Sequence, residues 1–123
     1  MPKVIFEQVK NVFNPFLLEK GVSQYAAYCR ETSKQLDSFI EENYYVKEII
    51  IMVQAEIDTI ALFAERRLVA IHYYWKKLQQ LMRSLEIALD DDTTYDELEE
   101  AYKQAEKVFG QPDYLFVRRE IHG

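Results

Sequence analysis

The sequence predicts an all-α fold, a helical bundle of about four helices. The chain has 123 residues, the length of one domain. Only three glycines and three prolines occur, and none lies between Gly21 and Gly110, so long helices with few tight turns are favoured. Hydrophobic residues make up 49% of the chain and recur at helical spacing, as a packed core requires. We therefore expect a single helical domain over residues 1–123.

The first third of the chain predicts three helices. Residues 3–13 place their apolar side chains on one helical face. Asn14 precedes a proline, an arrangement typical of a helix cap and the first helical residue, and Gly21 ends the short helix that follows. Ser23 is expected to cap a longer helix that runs to about residue 42.

Residues 45–89 predict the dominant element, one long helix. From Ile50 to Ala88 apolar or aromatic side chains recur at steps of three and four, and only Arg67 interrupts them. Such a repeat is typical of helix-on-helix packing. A straight helix of this length would span about 68 Å, roughly twice the diameter of a compact domain, so we expect an elongated or interlocked homodimer. A break near residues 65–67, giving a compact bundle, is the alternative. The expected subunit interface comprises Ile50, Val53, Ile57, Ile60, Ile71, Tyr74, Leu78 and Leu81.

The C-terminal part predicts a turn, one more helix and a tail. Three aspartates at 90–92 end the long helix, and Thr94 with Glu97 has the spacing of a capping box for the last helix. That helix is expected to reach about Phe109, where a glycine and a proline follow. Residues 111–123 are expected to form an extended tail.

The negative charge of the chain is concentrated in one segment. Residues 90–109 hold eight acidic and two basic side chains, and their net charge is therefore −6. This equals the net charge of the whole chain, −6. A negative chain is a poor candidate for nucleic-acid binding, which requires clustered lysine and arginine. We expect the segment 90–106 to dock a basic protein partner instead. The acidic docking residues are expected to be Asp90, Asp91, Asp92, Asp96, Glu97, Glu99 and Glu100.

One short motif suggests chemistry. Arg67, four intervening residues, His72 and then Tyr74 form the pattern Arg-x4-His-x-Tyr. This pattern resembles the motif of HEPN-domain ribonucleases, which are small all-helical dimers. The resemblance implies that Arg67 and His72 form a catalytic pair at a dimer cleft, with Tyr74 as a modification site. Histidine would act as general acid or base, and arginine would stabilise the phosphoryl charge.

The sequence lacks the residues that disulfides, zinc sites, phosphate-binding loops and EF-hands require. The single cysteine, Cys29, excludes an intramolecular disulfide and a cysteine-based zinc site. No glycine-rich phosphate loop occurs, and the acidic residues after position 90 lack the spacing of an EF-hand. We expect no cofactor, no metal and no membrane span, and a cytoplasmic location.

These observations favour a non-enzymatic helical protein–protein interaction module, a small adaptor or regulatory protein. It would self-associate through the long apolar helix and bind a basic partner through the acidic segment. Two alternatives stay open: a HEPN-like ribonuclease, and an acidic immunity- or antitoxin-like inhibitor that masks a basic partner by charge complementarity.

Overall fold

The computed structural model describes residues 2–66 and 71–111, and within these ranges it contains helices and turns but no strand. The prediction of an all-α fold is therefore confirmed. The six α-helices of this part of the chain are α1 (Pro2–Lys10), α2 (Pro15–Glu19), α3 (Val22–Glu42), α4 (Lys47–Glu65), α5 (Ile71–Leu89) and α6 (Tyr95–Phe109). Two 3₁₀ turns, at Asn11–Phe13 and Tyr44–Val46, precede α2 and α4. Except for Gln111, the predicted tail lies outside the described residues.

The prediction of one long helix over 45–89 is wrong. The alternative, a break near residues 65–67, is correct. Helix α4 ends at Glu65, and α5 begins at Ile71. Glu56 and Lys77 are 21 positions apart and would lie about 32 Å apart on a straight helix. In the structure their side chains form an ion pair with a distance of 3.3 Å between Nζ and Oε1. Helices α4 and α5 therefore run antiparallel and face each other.

Polar side chains cap the starts of α2 and α6. The side-chain oxygen of Asn14 accepts a hydrogen bond from the Phe16 amide at 3.0 Å, as predicted. The predicted capping box is also present, since Thr94 accepts from the Glu97 amide and Glu97 accepts from the Thr94 amide, both at 3.2 Å. The cap predicted at Ser23 is wrong. Gly21 caps α3 instead, with φ of 147°, a conformation that glycine adopts without strain.

Helix α4 lies at the centre of the bundle. It contacts α3 on one side and α5 on the other, while α6 packs mainly on α5 and also reaches α4. Helices α1 and α2 cover α3. The apolar seam of the sequence is used inside this bundle. The seam residues buried in the core are Ile50, Val53, Ile57, Ile60, Ala64, Ile71, Tyr74, Leu78, Leu81, Leu85 and Ala88.

Buried hydrogen bonds connect the 3₁₀ turn at Asn11–Phe13 to α3 and α5. The hydroxyl of Tyr25, which is fully buried, donates to the carbonyl of Val12 and accepts from the indole nitrogen of Trp75 at 2.8 Å. Burial raises the pKa of this phenol far above its usual range. Both polar ends of the aromatic pair are thereby satisfied within the core, which fixes α5 against α3.

A buried ion pair joins three helices at the other side of α5. Lys77 and Glu56 are 5% and 4% exposed. The Lys77 ammonium also donates to the carbonyls of Phe109 and Gln111, at 3.5 and 3.4 Å, where α6 ends. A cation at this position complements the partial negative charge of a helix C-terminus. Lys77 therefore holds α4, α5 and the end of α6 together.

Candidate interaction surface

The ribonuclease motif is described only in part. Arg67 lies outside the described residues. His72 is exposed in the first turn of α5, and its ring lies nearly perpendicular to the Trp75 ring with centroids 4.7 Å apart. Tyr74 is only 3% exposed and contacts the Phe63 ring, with centroids 4.8 Å apart. The folded chain therefore offers His72 to solvent but keeps the implied modification site, Tyr74, in its core.

The eight residues of the expected subunit interface lie inside the single chain. From Ile50 to Leu81 along the seam, each of them is at most 6% exposed. Their partners are the facing helices α3, α4, α5 and α6 of the same bundle. Other apolar residues reach the surface, and among the described ones Tyr95 at 80% and Phe16 at 71% are the most exposed.

The turn between α5 and α6 displays the first acidic residues. The Asp90 carboxylate accepts a hydrogen bond from the Asp92 amide at 2.9 Å, and the Thr93 hydroxyl donates to the carbonyl of Ile87. These local bonds fix a short turn, as aspartate and threonine side chains commonly do. The side chains at 90–92 are all exposed.

The structure divides the acidic docking residues between two surfaces. Asp90 and Asp91 lie at the end of the bundle, together with Glu99. Glu97 and Glu100 instead line a groove between α5 and α6. Asp92 and Asp96 are exposed and line neither surface. All seven predicted residues are therefore accessible, but they do not form one continuous cluster.

Aromatic side chains complete the surface at the bundle end. The hydroxyl of Tyr102 donates to the carbonyl of Tyr45 at 2.7 Å and lies 3.3 Å from the Glu48 carboxylate, so α6 is fastened to the start of α4. Burial and the neighbouring Glu48 raise the pKa of Tyr102 to about 12. Two adjoining depressions of about 250 and 380 Å³ result. Their shared and flanking residues, called here the acidic–aromatic end, are Tyr45, Asp90, Asp91, Tyr95, Leu98, Glu99 and Tyr102.

This combination of groups suits a cationic ligand. Carboxylates attract lysine and arginine, and exposed tyrosine rings accept a cation on their faces. The chain shows such a contact next to the surface, where the Lys47 ammonium lies 4.1 Å from the centre of the Tyr44 ring. Tyr45 and Tyr95, 59% and 80% exposed, offer rings of the same kind to a partner.

The described ranges were compared with what a metal site, a reactive thiol and a membrane span each require. Within residues 2–66 and 71–111, no three histidine, cysteine or acidic side chains are placed to hold a metal ion. Cys29 is fully buried, and burial raises the pKa of its thiol to about 12. Over the same ranges no helix has the length and apolar character needed to cross a membrane. The chain matches no protein-family model and shows no significant similarity to a curated protein or a solved structure.

Sequence reasoning missed two components. It did not bring Tyr45 to the acidic segment, although Tyr95 and Tyr102 stand seven positions apart on one face of α6 and signal an aromatic surface there. It also missed the ion pair of Glu56 and Lys77. Glu56 is the one charged residue in the stretch 49–57, where Gln54 is the other polar residue, and this is the signal for a buried basic partner.

Proposed function

We propose that the chain is a non-enzymatic protein–protein interaction module that binds a basic partner at its acidic–aromatic end. The observation that carries the proposal is the meeting of exposed tyrosine rings with exposed carboxylates at one end of the bundle. Aromatic residues are enriched at the centres of protein interfaces, and complementary charge speeds encounter and sets orientation. The partner we propose carries arginine or lysine side chains between apolar ones.

The experiment measures binding of a short fluorescent peptide rich in arginine and leucine, by anisotropy. The test variant neutralises four carboxylates, with asparagine at 90–92 and Glu99→Gln. Because exposed ion pairs contribute about 0.2–1 kcal/mol each, four of them contribute about 0.8–4 kcal/mol, and affinity should fall by a factor between roughly four and roughly 700. Asparagine at position 90 retains the side-chain oxygen that fixes the turn, so the fold should persist.

A matched control separates a surface from general acidity. It removes four exposed carboxylates elsewhere, on α2 and α3, and changes the net charge equally. The control residues are Glu19, Glu31, Glu41 and Glu42. Equal losses in both variants would contradict a defined surface. Tyr95→Ser leaves the charge unchanged and should still weaken binding, by roughly two- to fivefold, because one exposed cation–π contact contributes about 0.5–1 kcal/mol.

The self-association part of the proposal takes the form of helix exchange. The seam residues are buried between α4 and α5, so a second copy could use them only by replacing one of these helices. The pair of Glu56 and Lys77 and the contact of Phe63 with Tyr74 could then form between two copies as they do within one. Sedimentation tests this, since a monomer at all concentrations would contradict it.

Of the two alternatives, the inhibitor function uses the same acidic–aromatic end and differs only in what the partner does. A basic enzyme that loses activity when the module binds, and regains it with the neutralised variant, would favour the inhibitor. The ribonuclease alternative is supported by the exposure of His72. It predicts RNA cleavage by the purified chain that His72→Ala abolishes.

A further inference from the structure

A groove of about 440 Å³ runs between α5 and α6 and shares no lining residue with the acidic–aromatic end. Its floor consists of Ser84 from α5 and of Ala101 and Val108 from α6, all three at most 7% exposed. Ile87 of α5 lines the same groove and is 46% exposed. The base of the groove is therefore mainly apolar, and its charged side chains stand along the two edges.

Arg83 gives the α5 edge of the groove a positive charge. Its side chain is exposed, and no ion pair within the described part of the chain includes it. Glu86 follows one turn later on α5, but its carboxylate is already paired with the Lys10 ammonium at 3.7 Å. Gln80, one turn before Arg83, is the other exposed polar residue of this edge. The α5 edge therefore presents an arginine that is open to an acidic group from outside.

The α6 edge carries the opposite charge. Glu97 and Glu100 stand on it together with Gln104. Glu97 accepts a hydrogen bond from the Thr94 amide at 3.2 Å, and Glu100 accepts one from Gln104 at 3.1 Å. Over residues 2–66 and 71–111, no cation pairs with either carboxylate. Opposite charges therefore stand on the two edges without pairing across the groove.

The antiparallel arrangement of α5 and α6 places the groups of the two edges at matching levels. The helices are joined by the turn at 90–94 and pack side by side. Residues that are equally far from the turn therefore lie at the same level. Such pairs are Ile87 with Glu97, Ser84 with Glu100, and Gln80 with Gln104. Arg83 is one residue further from the turn than Ser84, so it lies within about 1.5 Å of the level of Glu100.

This pattern is complementary to itself. A twofold rotation about the length of the groove places α5 of a second copy over α6 of the first and keeps every residue at its level. Arg83 of each copy then faces Glu100 of the other, and Gln80 faces Gln104. The two Ile87 side chains meet near the axis. A twofold axis across the groove would instead bring the two Arg83 side chains together, so charge selects the first arrangement.

We infer that this face binds a second copy of the chain, in a twofold dimer whose grooves between α5 and α6 pack on each other. Removal of the Ile87 side chains from water favours association, and the paired charges set the orientation. A face of two helices about 22 Å long is small for a protein interface, so the dimer is weak. The inference does not rest on binding at the acidic–aromatic end. It differs from helix exchange because every helix stays within its own chain.

Charge reversal, followed by sedimentation over a wide range of concentration, tests the inference. Arg83→Glu and Glu100→Arg each place like charges opposite each other twice in the dimer. Each variant alone should therefore raise the dissociation constant of the dimer by at least about tenfold. An equimolar mixture of the two variants should dimerise again, because every reversed group then faces a group of opposite sign.

Matched controls make the same charge changes on exposed residues of α3. Lys34→Glu is the control for Arg83→Glu, and Glu31→Arg is the control for Glu100→Arg. Glu31 and Glu100 are alike, because each accepts a hydrogen bond from a glutamine four positions later, at 3.3 and 3.1 Å. Both controls should dimerise like the wild type.

A wild-type chain that stays monomeric at every concentration would overturn the inference, whether the groove is then open, covered by the chain itself or reserved for another protein. A dimer that both reversals leave unchanged would overturn it and would favour helix exchange. Two variants that stay monomeric when mixed would overturn the twofold arrangement.

Interchain disulfides give a second measurement that needs no change of charge. Chains with Gln80→Cys, mixed with chains with Gln104→Cys under mild oxidation, should form the mixed disulfide on the order of tenfold faster than with Gln35→Cys chains. Gln35 is a matched control, because Gln35 and Gln104 are both exposed and each donates to a glutamate four positions earlier. Cys29 should not interfere, because its side chain is fully buried. Equal rates, measured by mass spectrometry, would overturn the inference.

Discussion

Removal of the buried cation at Lys77 should destabilise the fold severely. Lys77→Met leaves the Glu56 carboxylate in the core without the ammonium that lies 3.3 Å from it. Breaking a buried ion pair from one side costs about 3–5 kcal/mol. A domain of this size has a free energy of unfolding of about 5–15 kcal/mol. The variant should therefore still fold, but with only a few kcal/mol of stability left. With an m-value of about 1–3 kcal/mol/M, the urea midpoint should fall by roughly 2 M.

The assay is urea unfolding followed by the fluorescence of Trp75, the only tryptophan of the chain, and by circular dichroism. Lys76→Met is the matched control, because Lys76 is exposed and should change stability by less than about 0.5 kcal/mol. The double variant Glu56→Leu with Lys77→Met should recover most of the loss, since apolar replacement of a buried pair is often neutral or stabilising. If Lys77→Met behaved like Lys76→Met, the pair would be solvated and our description of the core would be wrong.

Three further perturbations follow from single contacts. Tyr25→Phe leaves the Trp75 indole nitrogen without its acceptor and should cost about 1–3 kcal/mol in urea unfolding; an unchanged midpoint would contradict the buried network. Thr94→Ala removes the capping box and should lower the free energy of unfolding by about 1 kcal/mol in the same assay. An unchanged urea midpoint would show that the cap does not stabilise the fold. The Arg30 hydrogen bond to Glu65 lowers the pKa of the Glu65 carboxyl, so its stabilising effect is present above the unfolded pKa and is lost as pH falls through the folded one. Glu65→Gln should therefore lose less stability than the wild type below about pH 5, and parallel pH profiles would contradict this.

Local signals made several helix ends predictable. The capping box at Thr94 and the cap at Asn14 depend on side chains within three residues of the backbone groups they satisfy, so the sequence is sufficient there. The start of α3 was misplaced because both Gly21 and Ser23 are acceptable caps, and the choice depends on the φ of 147° that only the fold imposes.

The break after Glu65 was predicted only as the alternative to one long helix, because residues 66–70 include no glycine, proline or aspartate to mark a turn. Folding back lets α4, which is apolar on several faces, pack between α3 and α5. This gain in burial outweighs the few helical hydrogen bonds lost at the break. The apolar repeat correctly predicted the residues that are buried between helices. The repeat itself is the same whether it lies on one long helix or on two helices that face each other.

The candidate site was predictable in its charges and not in its shape. Acidic side chains in a short turn and on a polar helix face are exposed in almost any fold, so the accessibility of residues 90–100 followed from composition. The position of Tyr45 beside them depends on the bond from Tyr102 across to the start of α4. Contacts between segments so far apart in the chain leave no local pattern in the sequence.

The most direct test of the proposed function is an NMR titration of the ¹⁵N-labelled chain with the arginine- and leucine-rich peptide. Our account predicts that the largest amide shifts lie at Tyr45, at 90–92 and along 95–102, and that they shrink when salt is raised from about 50 to about 200 mM. Shifts that are largest at the control residues Glu31, Glu41 and Glu42 of α3, or that spread evenly over the surface, would contradict it.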